Sequence, residues 1–395
     1  MESILLKDII QKPISGEWGL EDLYGTGIPV LRTANFTNEG IINFENVVTR
    51  NISPSKLKGK LLQKGDILLE KSGGSDRQPV GRVVYFDGQA DKYGFNNFTS
   101  ALRISDLTMW NPKYIFYALY ANYHHGGTRK YENKTTGLHN LKVDLFIRSF
   151  SVPYATLIKQ NEIVKKLDLL NHLENVCEVQ LQKLDELIKS RFLEMFGEPW
   201  VNDKEFPCYS VGQVAESVTY GTSAPASDSG QYEYLRMNNL TDNGQLDLSD
   251  LKRIDMSDEQ AEKYMVKKGD ILFNRTNSID LVGKTALFNL NNPMIIAGYL
   301  IRIRLSDKVN PVYFVAYMNM PYMKEKLRNI AKGAVNQANI NSKELKSIQI
   351  LIPPLSLQNE YCNFVLSIDK SKMAVQKSLD ELETLKKSLM QTYFG

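Results

Sequence analysis

Two stretches of the chain place apolar residues at alternating steps of four and three. In the first these are Ile163, Leu167, Leu170, Cys177, Leu181, Leu184, Ile188 and Met195, with polar Glu174 and Arg191 in the same register. In the second they are Tyr361, Val365, Ile368, Val375, Leu379, Leu382, Leu389 and Tyr393, with polar Lys372 and Lys386 in register. Residues 156–195 contain neither Gly nor Pro. A heptad spacing held for about four or five heptads predicts a long coiled-coil-like helix. The plainer alternative is an amphipathic helix lying on its own globular domain. About forty residues at a rise of about 1.5 Å would span roughly 60 Å, more than the width of a small domain. The two seams are offset by 198 residues, so one helix can satisfy the other's apolar face. Glu174 and Lys372 interrupt the seams at equivalent positions with opposite charge. A polar seam residue fixes register at a cost in stability. If a pseudo-two-fold axis relates the halves, the helices run antiparallel and these two residues need not meet.

The stretches before each helix are mixed in pattern. Gly65–Leu69 and Val83–Phe86 read as strands, and Gly73-Gly74 as a turn. Tyr114–Tyr123 reads as a helix after Asn111-Pro112, and Phe146–Val152 as a strand leading to a proline turn. The second half repeats this plan with strands at Gly269–Phe273, Lys284–Phe288 and Ile348–Ile352 and a helix at Tyr313–Met320. The repetition extends to identities. LRxxNxTxxG beginning at Leu31 recurs at Leu235, and KGDIL at Lys64 recurs at Lys268, both offset by 204. Val80-Gly81 recurs as Val282-Gly283, Asn111-Pro112 as Asn310-Pro311, and Gln160-Asn161-Glu162 as Gln358-Asn359-Glu360. Phe196-Gly197 recurs as Phe394-Gly395. So many ordered matches mark a tandem duplication with small loop changes.

The chain has 395 residues and a formal net charge of +3. Its aromatic and aliphatic content excludes disorder as the main state, and no apolar run suits a membrane span or a secretory leader. Residues 1–197 hold 25 basic and 22 acidic groups, and residues 198–395 hold 23 of each. Such weak basicity excludes a blanket polyanion binder and leaves only local patches for nucleic acid. Cys177, Cys208 and Cys362 form no CxxC pair, which fits a reduced, cytoplasmic compartment. His124-His125 could bind metal, but a packing role suits such a tyrosine-rich stretch better. Nucleotide-binding glycine loops, a nucleophile elbow and base-methylation motifs are missing from the sequence. Glu344-Leu345-Lys346 has an acidic-x-Lys spacing that a nuclease could use, but the first half does not repeat it. Neither a catalytic nor a metal site is expected.

The duplicated order of motifs resembles the DNA-specificity subunit of type I restriction-modification systems, over essentially the whole chain. The strongest likeness is GAVNQANINSKELKSIQILIPPLSLQNEYCNFVLSI, residues 333–368. The first half is a worn copy, with Tyr154 in place of Pro354 and Gly137 in the region of Gln337. The resemblance implies an α+β chain with two tandem pseudo-symmetric α/β target recognition domains, separated by two long antiparallel coiled-coil-like helices. The boundaries would be 1–152 for the first recognition domain, 153–197 for the central spacer helix, 198–352 for the second domain and 353–395 for the C-terminal spacer helix. It further implies that each domain reads one half of a bipartite asymmetric target in double-stranded DNA. Two modification subunits would carry S-adenosylmethionine and the methylation chemistry, restriction subunits would join them, and this chain would bind no cofactor and touch no membrane. A specificity subunit of a type IIB-like enzyme, or a coiled-coil scaffold with two ligand-binding domains, is the alternative.

Direct readout needs Arg or Lys for guanine and Asn or Gln for adenine, while phosphate contacts need Lys, Arg and small polar groups. The loops after KGDIL offer Lys71, Ser72 and Arg77 in the first half and Asn274, Arg275, Thr276 and Asn277 in the second. A basic and aromatic cluster, 128–134, adds Arg129 and Lys130. Its rough counterpart, 332–337, adds Lys332, Asn336 and Gln337. Arg32 and Arg236 recur, but a recurring residue can equally serve the fold. For each cluster a solvated loop face is the competing reading.

Overall fold

In the computed structural model, residues 2–135, 138–334 and 337–395 are described. The chain divides into two compact units, residues 1–176 with 378–395, and residues 177–377. Each unit holds one globular domain and part of each long helix.

The two domains are built alike. In the first, an antiparallel sheet runs in the order Ile14–Ser15, Thr99–Leu102, Ile67–Glu70, Val83–Tyr85. In the second, the order is Ala215–Tyr220, Leu300–Leu305, Ile271–Asn274, Thr285–Leu287. The KGDIL motif explains the middle of both sheets. Gly65 and Gly269 turn into the strand at φ of +96° and +97°, a left-handed conformation that favours glycine. The buried Asp66 carboxylate accepts two hydrogen bonds from Arg103, each at 2.8 Å. Asp270 accepts from Arg304 in the same way, at 2.9 and 3.3 Å. Each arginine ties the incoming turn to the neighbouring strand.

Beside this sheet lies a second one, where Ile28–Leu31 pairs in parallel with Gly94–Phe95, and Tyr232–Leu235 with Met294–Ile296. Ser3–Leu5 pairs antiparallel with Ser151–Pro153, and Cys208–Ser210 with Gln349–Leu351. That pairing returns the chain to the domain's first strand just before the long helix begins. Phe146–Val152 departs from the single strand expected there. Val143–Ser149 is helical, burying Phe146 and Ile147, and only Ser151–Pro153 is extended. The apolar run is short enough to fit either period, and tertiary burial selects the helix. Gly73-Gly74 is likewise no turn, because Ser72–Gly74 forms a strand.

The long helices are Leu157–Phe196 and Leu355–Phe394. They pack together, and their contacts within each unit fix an antiparallel direction. In the first unit Ile163, Val164 and Leu167 share a core with Leu389, Met390 and Phe394. In the second, Phe192, Met195 and Phe196 share a core with Tyr361 and Val365. Ile163, Leu167, Leu170, Ile368 and Leu379 are buried, while Leu181, Leu184, Ile188, Val365, Val375, Leu382 and Leu389 are partly buried. The polar interruptions lie in the same seam but do not face their equivalents. Glu174 meets Lys386 at 2.6 Å, and Lys372 meets Asp185 at 2.6 Å. Arg191 reaches Glu360 at 3.0 Å.

Each helix start is locked to its domain. The Gln160 carbonyl oxygen accepts from the Asn111 N–H at 2.8 Å, and its amide nitrogen donates to the carbonyls of Met109 and Ala155. Gln358 repeats this on Asn310, Lys308 and Pro353. Asn111 and Asn310 cap the helices Pro112–His124 and Pro311–Asn319, each with Pro at its first position, a favoured start.

Glu174→Lys should lower the thermal midpoint of the chain, because it sets two ammonium groups together in a half-dry seam. Adding Lys386→Glu should restore most of the loss, with a coupling of about 1–3 kcal/mol in a double-mutant cycle. Additive effects would show that the pair does not specify register.

Candidate nucleic-acid interface

The candidate clusters of each half, some sixty residues apart in sequence, meet on one small sheet. In the first unit Ser72–Gly74 pairs with Leu138–Leu141, which pairs with Glu132–Thr135. In the second, Thr276–Asn277 pairs with Gln337–Asn339, which pairs with Lys332–Ala334. The post-KGDIL loop and the later basic cluster are thus one surface in each unit.

On the first sheet Ser72 is part-buried and Arg77 is exposed on the loop beyond it. Lys71 donates to Ser15 Oγ at 3.0 Å, and burial holds its ammonium below the ordinary lysine pKa. Arg129 and Lys130 are exposed. The guanidinium of Arg129 reaches the Asp76 carbonyl at 3.4 Å, linking the two clusters. The Lys130 ammonium lies 5.1 Å from the centre of the Tyr131 ring.

On the second sheet Arg275 stacks over Tyr220 with 4.9 Å between guanidinium carbon and ring centre, and donates to the Gly298 carbonyl at 3.3 Å. Asn277 is part-buried, and its side-chain oxygen accepts from the Ser278 N–H at 2.9 Å. The Thr276 hydroxyl contacts the Asn339 side-chain oxygen at 3.2 Å. Lys332 pairs with Glu344 at 2.6 Å. That hydrogen bond, with others from Asn341, holds the Glu344 carboxyl below its usual range. Gln337 is exposed. Asn336 and Gly137 lie outside the described residues.

Three candidates sit away from these surfaces. Asn274 is fully buried at the end of its strand, at the position equivalent to Glu70. Arg32 and Arg236 brace a loop. The Arg32 N–H donates to Asn35 Oδ1 at 2.9 Å, and its guanidinium donates to the Asn46 carbonyl at 3.3 Å. Arg236 repeats the arrangement on Asn239 and Asp250 at 2.8 Å each, with a 2.6 Å contact to the Asp250 carboxylate. LRxxN is therefore a loop-building device whose buried asparagine bonds two carbonyls, one of them shared with the arginine.

Other supports carried no sequence signal. Glu70 accepts from Arg82 at 3.0 and 3.1 Å, and Arg82 also donates to the carbonyls of Thr33 and Phe36. Burial works against the Arg82 charge, yet hydrogen bonding to Glu70 holds its pKa above the ordinary arginine value. Buried His139 sits on the first small sheet with Nδ1 3.0 Å from Glu132 and Nε2 3.7 Å from Asp76. Only an alignment of the halves points to Glu70 and Arg82, which stand where the second half has Asn274 and Lys284.

Among the described residues no group of three or more His, Cys, Asp or Glu is placed to hold a metal ion, and no helix is long and apolar enough to cross a membrane. Residues 204–384 match the family model of the type I restriction modification DNA specificity domain. The chain is 23% identical to the type I restriction enzyme EcoKI specificity subunit of Escherichia coli, over 93% of this chain and 82% of that one. It is 29% identical to a Methanocaldococcus jannaschii chain named as the MjaX specificity subunit, over 46% of this chain and only 43% of that relative's length. The crystal structure of a type I restriction-modification S subunit from M. genitalium shares the fold, with a TM-score of 0.59 at 12% identity, covering 100% of this chain and 96% of that one. The second half thus matches the type I restriction modification DNA specificity domain, relatives named as type I specificity subunits align along nearly the whole chain, and the fold is that of an S subunit.

Proposed function

We propose that this chain is the target-reading subunit of its restriction-modification system, each unit reading one half of a bipartite asymmetric sequence in double-stranded DNA. The observation that carries this reading is the small sheet that recurs once per unit with unlike side chains. Lys71, Ser72, Arg77, Arg129 and Lys130 stand on or beside one copy, and Asn277, Lys332 and Gln337 stand on the other with Arg275 beside it. Unlike surfaces on a shared frame suit unlike half-sites, whereas a symmetric homodimer suits a palindrome. Two modification subunits would hold S-adenosylmethionine and perform methylation, restriction subunits would cleave, and the complex would act in the cytoplasm. Exposed Leu169, Leu173 and Val176 on the central helix, and Leu366 and Met373 on the C-terminal helix, offer apolar contact area for such partners. Partners that share the duplex also make a net charge of +3 tolerable, since this chain need not neutralise the backbone alone.

Co-expression with the neighbouring modification gene should yield a stable complex that methylates one bipartite sequence, read by genome-wide mapping of modified adenines. A chain that neither joins a methyltransferase nor alters methylation would instead be a scaffold with other ligands. A fused cleavage and modification partner would mark a type IIB-like enzyme.

Arg275→Ala should relax or weaken recognition of one half-site by about 1–3 kcal/mol per lost bidentate base contact. The other half-site should be untouched, and equal loss at both would refute a local reading role. Inserting one heptad after Leu181 and a matching heptad after Lys377 lengthens both helices by about 10 Å, or roughly three base-pair steps. The mapped spacer should grow accordingly with both half-sites unchanged. An unchanged spacer would show that the helices do not set the distance.

A further inference from the structure

Two aromatic side chains outside every sequence motif occupy the same point of the two units. Phe98 is 49% exposed and Tyr299 is 51% exposed, although the strand that follows each is largely buried. Each stands third in a tight turn, closed by the Thr99 N–H on the Asn96 carbonyl at 3.2 Å and by the Leu300 N–H on the Ala297 carbonyl at 2.8 Å. A glycine backs each turn. A Cβ on Gly16 would lie 2.2 Å from the Asn96 oxygen, and one on Gly221 would lie 2.2 Å from the Ala297 oxygen. The turns are therefore held from behind by backbone that tolerates no side chain.

From the front, each turn is tied to the basic residue that opens the candidate loop. The Lys71 N–H donates to the Phe98 carbonyl at 2.8 Å, and the Arg275 N–H donates to the Tyr299 carbonyl at 3.0 Å. The surrounding residues are not shared between the halves, with Asn96-Asn97-Phe98-Thr99 in one and Ala297-Gly298-Tyr299-Leu300 in the other. What both copies keep is the rigid turn, an outward ring and a cationic neighbour. A core role would keep the ring buried, and a solvated turn would have no need of it.

We propose that Phe98 and Tyr299 are base-contacting wedges, one per half-site, each laying its ring against an unstacked base step beside the cationic Lys71 or Arg275. This rests on the DNA-reading function proposed above. A ring against a base face is indifferent to base identity and favours easily opened steps. The wedges would therefore supply affinity and deformation, while the small sheets supply sequence choice.

The test uses the full chain co-expressed with its modification subunit, and duplexes carrying the mapped target with 2-aminopurine placed in one half-site. Tyr299→Ala should weaken binding about tenfold or more and abolish the fluorescence rise in one half-site only. The methylated sequence should stay the same, and Tyr299→Phe should keep both signals. Phe98→Ala should do the same at the other half-site. Unchanged affinity and fluorescence in both alanine variants would overturn the proposal. So would loss of the modification subunit from a variant that melts like the wild type, which would assign the ring to a protein contact. A large fall in thermal midpoint would assign it to the core and overturn it as well. A wild-type complex that binds no duplex would overturn the underlying reading itself.

Discussion

Gln160 and Gln358 stand in the first turn of the two long helices with no exposure to solvent. Each amide satisfies one N–H and one carbonyl of its domain and one carbonyl of the turn that leads into the helix. The glutamine amides themselves are fully buried, and leaving such a buried polar group unsatisfied costs about 1–3 kcal/mol. The bonds are directional, so they fix how the helix leaves the domain as well as holding it there. The following asparagine adds a second tie, since Asn161 accepts from Asn111 at 2.7 Å and Asn359 accepts from Asn310 at 2.9 Å. A helix that left its domain at a variable angle could set no distance, however stiff its own seam. The rest of the architecture depends on this junction.

The far end of each helix is fixed by apolar contact instead. Phe394 packs on Tyr114 with ring centres 5.2 Å apart, and Phe196 packs on Tyr313 at 4.8 Å. The tyrosine hydroxyls in turn donate to the carbonyls of Pro153 and Leu351. Each domain core thus includes the start of one helix and the end of the other. Apolar contact is strong but tolerant of sliding, and here the seam pairs add the missing discrimination. Glu174 with Lys386 and Asp185 with Lys372 would both be broken by a one-turn slip. The pairs are not equivalent under the 198-residue offset, so the seam has a single register while the frame around it is duplicated.

The long helices were legible because heptad spacing is a strong signal over forty residues, and the antiparallel option followed from the duplication. The domain interiors were legible only where turns carried glycine, proline or asparagine. Phe146–Val152 shows the limit, because a short apolar run has no period of its own and its neighbours decide. The polar seam residues were visible, but their partners were not. Glu174 and Lys372 are equivalent by repeat, and an antiparallel pair brings equivalent residues together only near its centre. In the candidate site, the sequence showed two loose clusters per half. Their union on one sheet depends on pairing between strands some sixty residues apart, and nothing local encodes that.

The duplication also separates scaffold from surface. Where both halves keep an identity, the structure finds a structural task. Asp66 and Asp270 anchor a strand turn, Asn35 and Asn239 fill a loop, and Gln160 and Gln358 lock a helix. Recurrence of Arg32 as Arg236 belongs with these, because the guanidiniums brace the same loop. Where the halves diverge at an equivalent exposed position, no shared packing constraint holds the side chain. Lys71 against Arg275 and Phe98 against Tyr299 form a third class, in which chemical kind is kept and identity is not. That is the pattern expected when two copies of one frame must approach the same polymer while choosing different sequences along it.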